Sequence, residues 1–167
     1  MARFFMDTEF IESGPGKPIQ LISIGVVSED GRKYYAISRE YNSADANQWV
    51  KDNVLPGVEL QSAVQPKALA AIREEILAFV GSEKPEFWGY YADYDWVVFC
   101  QIFGTMSELP QGWPMYCRDI KQLCDSMGNP RLPEQKSTEH NALNDALWNL
   151  SAFEYLCFLG LPGGEGY

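Results

Sequence analysis

The first forty residues carry the apolar patterns of β-strands. Residues 19–27 alternate between apolar and other positions, which places Ile22, Ile24 and Val26 on one face of a predicted strand. Asp30 and Gly31 follow, and this dipeptide favours a tight hairpin turn. The pattern therefore predicts three successive strands, at least two of them antiparallel, at residues 4–6, 19–27 and 32–38.

The chain beyond residue 65 predicts four helices and two further strands. Apolar residues recur there every three or four positions, which is the period of a helix with one buried face. The predicted helices cover about residues 66–81, 95–103, 119–127 and 141–159. The last has Leu143, Leu147, Leu150 and Phe153 on its inner stripe. The predicted strands are residues 86–91 and 113–117.

The order of these elements is βββ-α-β-α-β-α-α, with a hairpin before the crossovers. Such an order predicts an α/β fold in which a mixed central β-sheet is flanked by α-helices. A pure Rossmann fold is disfavoured, because no glycine-rich turn follows the first strand. The length of 167 residues is most simply one domain, spanning residues 1–167.

Charge and composition exclude several classes of protein. The formal net charge of −10 argues against tight, nonspecific binding of duplexes, which normally requires a basic face. It is compatible with an enzyme that holds only a few terminal nucleotides. No apolar run approaches the roughly 20 residues of a membrane span, and the first residues lack a signal-peptide layout. The expected location is therefore the cytoplasm, without a membrane partner.

The four cysteines do not predict a zinc site. None of Cys100, Cys117, Cys124 and Cys157 forms a C-x-x-C pair, and His140 is the only histidine. The expected state is therefore four reduced thiols.

Two acidic residues stand at the end of the first predicted strand. Asp7 and Glu9 are two positions apart, so both side chains project from the same face. One D-x-E pair is nearly expected by chance in a chain with 23 acidic residues. Its position directly after an apolar strand favours a function, because buried strands rarely end in two acids without a use.

Asp95 is the second acidic candidate. It follows Tyr94 and precedes an apolar helical run, so it is either a helix N-cap or a site residue. Asp93 is a competitor two residues away.

His140 and Asp145 form the third element, at the junction between a loop and the last helix. An imidazole titrates near neutrality, at about 6.5, which suits a general base. Asp145 lies among apolar residues of the helix, where a carboxylate requires a partner. Carboxylates that meet at one site repel each other unless cations bind them, and hard divalent cations prefer oxygen ligands.

The ordered set of motifs resembles a known family. Asp7-Thr8-Glu9, Tyr94-Asp95 and His140-Asn141-Ala142-Leu143-Asn144-Asp145 are similar to the motifs of the DEDDh 3′→5′ exonucleases, which have a ribonuclease H-like fold. The segments at residues 5–12, 21–27 and 94–101 resemble the small bacterial ribonuclease AS family, whose members trim adenosine-rich 3′ ends of RNA. One departure is Tyr91, because many DEDDh enzymes have asparagine four residues before the aspartate of the middle motif.

This resemblance implies a two-metal exoribonuclease that acts on single-stranded RNA 3′ ends and forms a homodimer. Two Mg²⁺ ions, or Mn²⁺ in their place, are implied as cofactors. The residues implied as metal ligands are Asp7, Glu9, Asp95 and Asp145, with His140 as the general base. Expected substrate contacts are Thr8 and Phe10 at the terminal nucleotide, and Arg131 and Lys136 at upstream phosphates. Core packing is an equal alternative for Phe10, and solvated loop charges for Arg131 and Lys136.

Three other functions stay open from the sequence. A DNA 3′→5′ exonuclease of the same fold differs from an exoribonuclease only in how it treats the 2′-hydroxyl. A non-catalytic nucleic-acid-binding module has no physical reason to keep clustered carboxylates. An unrelated acidic α/β interaction domain is the third alternative.

Overall fold

A single mixed sheet organises the structure. The computed structural model describes residues 1–135 and 140–160, and in that part of the chain no helix is both long and apolar enough to cross a membrane. The sheet strands are β1 (Ala2–Ile11), β2 (Gln20–Ser28), β3 (Lys33–Ile37), β4 (Pro85–Gly89) and β5 (Arg118–Asp119). Their spatial order is β3-β2-β1-β4-β5. β1, β2 and β3 are antiparallel neighbours, whereas β4 is parallel to β1 and to β5.

Helices cover both faces of this sheet. They are α1 (Gln48–Asn53), α2 (Leu55–Glu59), α3 (Leu69–Val80), α4 (Asp93–Phe103), α5 (Ile120–Ser126) and α6 (Ala142–Phe158). Phe4 and Met6 of β1 pack with α3 and α4 on one face, while Phe5 packs with α5 and α6 on the other. A third apolar cluster joins the far end of β1 to β3 with α1 and α2. The predicted α/β architecture is therefore confirmed.

The hairpin between β2 and β3 also forms as predicted. The Ser28 N–H donates to the Arg32 carbonyl at 2.9 Å, and the Gly31 N–H donates to the Ser28 carbonyl at 2.9 Å. Gly31 has a φ of +90°, which glycine adopts without steric cost.

The strand predicted at residues 113–117 is wrong. Only Arg118 and Asp119 form a strand in this region, and Pro114 lacks the N–H that a ladder requires. Trp113 instead inserts its ring between Phe87 and Phe103, at centroid distances of 5.3 and 5.4 Å. The aromatic run is a loop that contributes to the core.

The predicted face of β2 is also partly wrong. Ile24 and Val26 pack beside α3 and α4, but Ile22 packs in the cluster with α1 and α2. The cause is a register shift, because Glu9 pairs with Ser23 whereas Phe10 pairs with Leu21. Ile22 is the additional residue of a β-bulge, which breaks the alternation of faces.

Helix α6 turns a different face to the sheet than its leucines predict. Leu143, Leu147 and Leu150 are only partly buried, and the residues that are buried are Ala142, Ala146, Asn149, Ala152, Phe153 and Leu156. The helix begins so close to β2 that a β-carbon on Gly25 would overlap the backbone of Ala142 and Leu143. Only small residues fit such an interface at its N-terminal end.

We expect Gly25→Ala to destabilise the protein by about 3 kcal/mol, because the added methyl group meets backbone rather than a flexible side chain. Chemical denaturation measures this free energy. Gly57→Ala in α2 is the matched control: the nearest atom to its new β-carbon is the His140 carbonyl oxygen at 3.9 Å, and alanine favours helix by about 1 kcal/mol. Equal losses of stability in both variants would contradict the role assigned to the close approach.

Candidate active site

Three acidic side chains from two elements meet at one point. Asp7 and Glu9 of β1 and Asp145 of α6 each offer a carboxylate oxygen, and these oxygens lie within 4.8 Å of one another. The structure thus brings together residues that are more than 130 positions apart in the chain. We call these three residues, together with Asp95, the acidic cluster.

Asp95 adjoins this group from the opposite side of β1. Its Oδ1 atom accepts hydrogen bonds from the Thr8 N–H at 2.8 Å and from the Thr8 hydroxyl at 2.5 Å. Helix α4 begins at Asp93, and Ala92 is its N-cap, so the N-cap alternative for Asp95 is wrong. Asp95 is buried, whereas the competitor Asp93 is exposed.

The first turn of α6 fixes the position of Asp145. The Asn141 side chain caps the helix by accepting from the Asn144 N–H at 3.1 Å, and the Asn141 N–H donates to Asp145 Oδ2 at 3.1 Å. One turn later, the buried Asn149 donates from Nδ2 to the Met6 carbonyl at 2.9 Å. This bond ties α6 to β1 directly beside Asp7.

Burial and mutual repulsion make the charged form of this cluster unfavourable. Burial raises the pKa of Glu9 to about 8, and the carboxylates of Asp145 and Asp95 add to that shift. Burial, opposed by the hydrogen bonds from Thr8, raises the pKa of Asp95 to about 6. The pKa of Asp7 is also raised, first by burial and then by its acidic neighbours.

The donor set fits divalent cations. Within residues 1–135 and 140–160, no lysine or arginine forms an ion pair with any member of the acidic cluster. Buried carboxylates without a positive partner favour protonation or a bound cation. Carboxylate oxygens are the ligands that Mg²⁺ and Mn²⁺ prefer.

His140 lines the first cleft at the rim of the acidic cluster. It is not among the three residues whose ligand atoms lie within 4.8 Å of one another. Its φ of +61° places the backbone in the left-handed region just before α6. Its ring meets the ring of Trp49 edge-on, with centroids 4.8 Å apart. The half-exposed Trp49 belongs to α1, so this short helix supports the imidazole from outside.

Two clefts open from the acidic cluster. The first cleft, of about 370 Å³, runs past Thr8 and Phe10 to Glu12, with α1 as its wall. The second cleft, of about 540 Å³, runs in another direction between the end of β4 and helix α6. Both clefts are lined by Asp7, His140 and Asp145, together with Tyr90 and Tyr91.

The residues predicted to contact substrate differ from one another in their surroundings. Thr8 donates both of its polar hydrogens to Asp95, and Phe10 lines the first cleft while its ring stacks on Tyr94 at 5.6 Å. Phe10 also packs against the core, so the two alternatives for this residue are not exclusive. Arg131 is 84% exposed in its side chain and pairs with Glu134. Lys136 lies outside the described residues.

Several residues that line the two clefts were not identified from the sequence. Helices α1 and α2 were not predicted, although Val50, Val54 and Val58 recur at four-residue spacing and Asn47 caps α1 by accepting from the Val50 N–H at 2.9 Å. That spacing and the capping residue were the available signal. Trp148 of the second cleft had no signal, because nothing in its local sequence indicates which face of α6 approaches β4.

Comparison with known proteins agrees with this geometry. The sequence model of the 3′-5′ exoribonuclease Rv2179c-like domain matches residues 2–157. The chain belongs to the Rv2179c-like exoribonuclease family. One relative, 3′-5′ exoribonuclease Rv2179c of Mycobacterium tuberculosis, is 41% identical over 157 residues, which are 92% of this chain and 92% of that protein. The resemblance to 3′→5′ exonucleases and the prediction of an enzyme are confirmed.

Solved structures of other exonucleases share the fold of this Rv2179c-like protein. Escherichia coli exonuclease I, in a zinc-bound complex with single-stranded DNA, has a TM-score of 0.66 and 14% identity. The match covers 95% of this chain and 41% of exonuclease I. Pop2p of S. pombe, solved with Mg²⁺ and Mn²⁺, has a TM-score of 0.58 and 17% identity, with 92% and 82% covered. The predicted ribonuclease H-like fold is confirmed.

Without divalent metal, we expect the Rv2179c-like protein to lose stability as the pH rises from about 5 to 8. The pKa of Glu9 is about 8 in the folded state against 4.5 ordinarily, so the folded state binds more protons than the unfolded state across that window. The free energy of unfolding must then fall with rising pH. Denaturation in chelator at several pH values measures the slope.

Two comparisons sharpen this measurement. Glu9→Gln should flatten the slope, because the raised pKa of Glu9 then no longer contributes to it. Excess Mg²⁺ should also flatten it, since a bound cation favours the ionised carboxylates. Stability that stays constant or increases between pH 5 and 8 in chelator would contradict the proposed electrostatics.

Proposed function

We propose that this protein is a metal-dependent 3′→5′ exoribonuclease that removes nucleoside 5′-monophosphates from single-stranded, adenosine-rich RNA. The observation that carries the proposal is the acidic cluster, which forms no ion pair with a lysine or an arginine among the described residues and opens into two clefts. Membership of the Rv2179c-like family supports the direction of cleavage and the choice of RNA. The adenosine preference rests on the family resemblance.

The acidic cluster would hold the metal ions. Asp7, Glu9 and Asp145 offer oxygens within 4.8 Å of one another, and both hydrogen bonds from Thr8 to Asp95 end on Oδ1 rather than Oδ2. When bound, two Mg²⁺ or Mn²⁺ ions supply an acidified water and charge stabilisation at the leaving oxygen. The pKa values of the carboxylates, raised in the metal-free protein, make such binding stronger as the pH rises.

His140 serves as the general base in this proposal. An imidazole nitrogen of His140 accepts a proton from the attacking water, whose oxygen bonds to phosphorus. The bond from phosphorus to the 3′ oxygen of the preceding nucleotide breaks, and this 3′ oxygen takes up a proton from solvent water. The products are a nucleoside 5′-monophosphate and an RNA one nucleotide shorter. Trp49 keeps the imidazole at the rim through its edge-on ring contact. A homodimer and a cytoplasmic location stay predictions.

The decisive experiment is a time course on 5′-labelled single-stranded RNA ending in an adenosine run, beside DNA of the same sequence. We expect a ladder that shortens from the 3′ end of the RNA with Mg²⁺ or Mn²⁺ and stops with chelator. Asp145→Asn is the control, because it keeps the shape of the cluster but removes one charge. Equal digestion of the DNA would indicate a general exonuclease, and digestion in chelator would exclude the metal mechanism.

The role of His140 is tested separately. We expect His140→Ala to lower kcat by at least about 100-fold, the usual contribution of general acid–base catalysis, while Mn²⁺ affinity changes little. Calorimetric titration of Mn²⁺ into both proteins supplies the second measurement. An unchanged kcat would remove the base role, and a large loss of Mn²⁺ affinity would indicate a ligand instead.

A further inference from the structure

The second cleft continues beyond the acidic cluster. It passes Tyr90, Tyr91 and Trp148, and an outer cavity of about 490 Å³ lies on the other side of Tyr90 and Trp148, which line both. The outer cavity is also lined by Arg131. The first cleft, in contrast, is bounded by α1 and by the end of β1 that pairs with the bulge of β2. The second cleft therefore has a further cavity beside it that is formed by described residues.

Three aromatic rings form a row along this second cleft; Tyr90 and Tyr91 line both clefts, whereas Trp148 lines only the second cleft and the outer cavity. The ring centroids of Tyr91 and Tyr90 are 4.7 Å apart at 71°, and those of Tyr90 and Trp148 are 4.9 Å apart at 88°. Trp148 is anchored by its Nε1–H, which donates to the Pro133 carbonyl at 2.9 Å. Tyr91 is 65% exposed and forms the end nearest solvent. We call these three residues the aromatic row.

The backbone holds Tyr91 outward. Its φ is +55°, a left-handed conformation that is uncommon for a bulky residue and often occurs at functional sites. The next residue fixes the turn, because the Ala92 N–H donates to Asp119 Oδ2 at 2.8 Å. The exposed ring is thus presented by a turn that is anchored on β5.

Positive charge lies beyond the second cleft rather than within it. None of the described residues that line either cleft is a lysine or an arginine, and Glu12 adds a further acid to the first cleft. Arg131 lines the outer cavity, where it pairs with Glu134 of the same lining. The outer cavity therefore offers a phosphate backbone a guanidinium group that the lining of the first cleft does not have.

We propose that the RNA on the 5′ side of the cleaved bond lies along the second cleft, with its unpaired bases against Tyr91 and the aromatic row. The first cleft then holds only the 3′-terminal nucleoside. This inference rests on the proposed function and adds a strand path to it. Stacking on a ring requires a base that is not enclosed in a duplex, so the aromatic row also selects single strands.

The test is the dependence of KM on RNA length. A dinucleotide has only one base on the 5′ side of the cleaved bond, whereas a pentanucleotide has four, which can extend along the aromatic row. Stacking one base on a ring corresponds to about tenfold in affinity by substitution of the ring. We expect Tyr91→Gly, which tolerates the left-handed backbone, to reduce the ratio of dinucleotide KM to pentanucleotide KM by about tenfold.

Two control variants make the measurement specific. Tyr91→Phe keeps the ring and should keep the KM ratio of the unsubstituted protein. Tyr116→Ala removes a tyrosine of similar exposure, 57%, that lines none of these cavities, and it should also keep that ratio. Loss of the ratio in Tyr91→Gly alone would support the path.

Other outcomes would overturn it. If the unsubstituted protein hydrolyses both RNAs and Tyr91→Gly retains its KM ratio, the strand path is wrong while the proposed function stands. If the unsubstituted protein hydrolyses neither RNA, the proposed function fails and the strand path fails with it.

Discussion

The close approach of α6 to the sheet is the contact on which the site depends. Asp145 reaches the carboxylates of β1 only because the helix starts against Gly25, the residue that pairs with Asp7 in the β1–β2 ladder. Asn149 holds the same helix one turn later through its bond to the Met6 carbonyl. A glycine, a row of alanines and one buried amide therefore set the distance between acids from opposite ends of the chain.

This contact holds together groups that repel each other. The fold maintains the cluster because three apolar clusters stabilise the surrounding elements, and because hydrogen bonds from Thr8 and from the Asn141 N–H restrain Asp95 and Asp145. The raised pKa of Glu9, about 8, records the remaining repulsion and burial. A bound cation relieves the repulsion between carboxylates whose charged form is unfavourable. The same electrostatics that destabilise the metal-free fold therefore favour metal binding.

The sequence predicted the acidic cluster better than its surroundings. Strand alternation predicts that Asp7 and Glu9 share a face, and the resemblance of the ordered motifs to the DEDDh exonucleases implied Asp95 and Asp145 as further members. The bulge at Ile22 was not predictable, because it depends on how two strands pair rather than on either strand alone. The aromatic row joins Tyr90 and Tyr91, which directly follow β4, to Trp148 of α6, so Trp148 becomes their neighbour only through packing.

A net charge of −10 argues against tight binding of duplexes, but it is compatible with an enzyme that holds only a few nucleotides. An enzyme that releases one nucleotide at a time must attract a phosphate backbone near its acids without holding the strand so firmly that it cannot advance. Aromatic rings can hold a strand in this way, because a ring stacks on any base and does not depend on the position of one particular phosphate. Arg131 and Lys121 already pair with Glu134 and Asp125, so each can exchange an intramolecular partner for a passing phosphate at little net change in charge. In the proposed strand path, the negative charge therefore limits how much of an RNA is held at once.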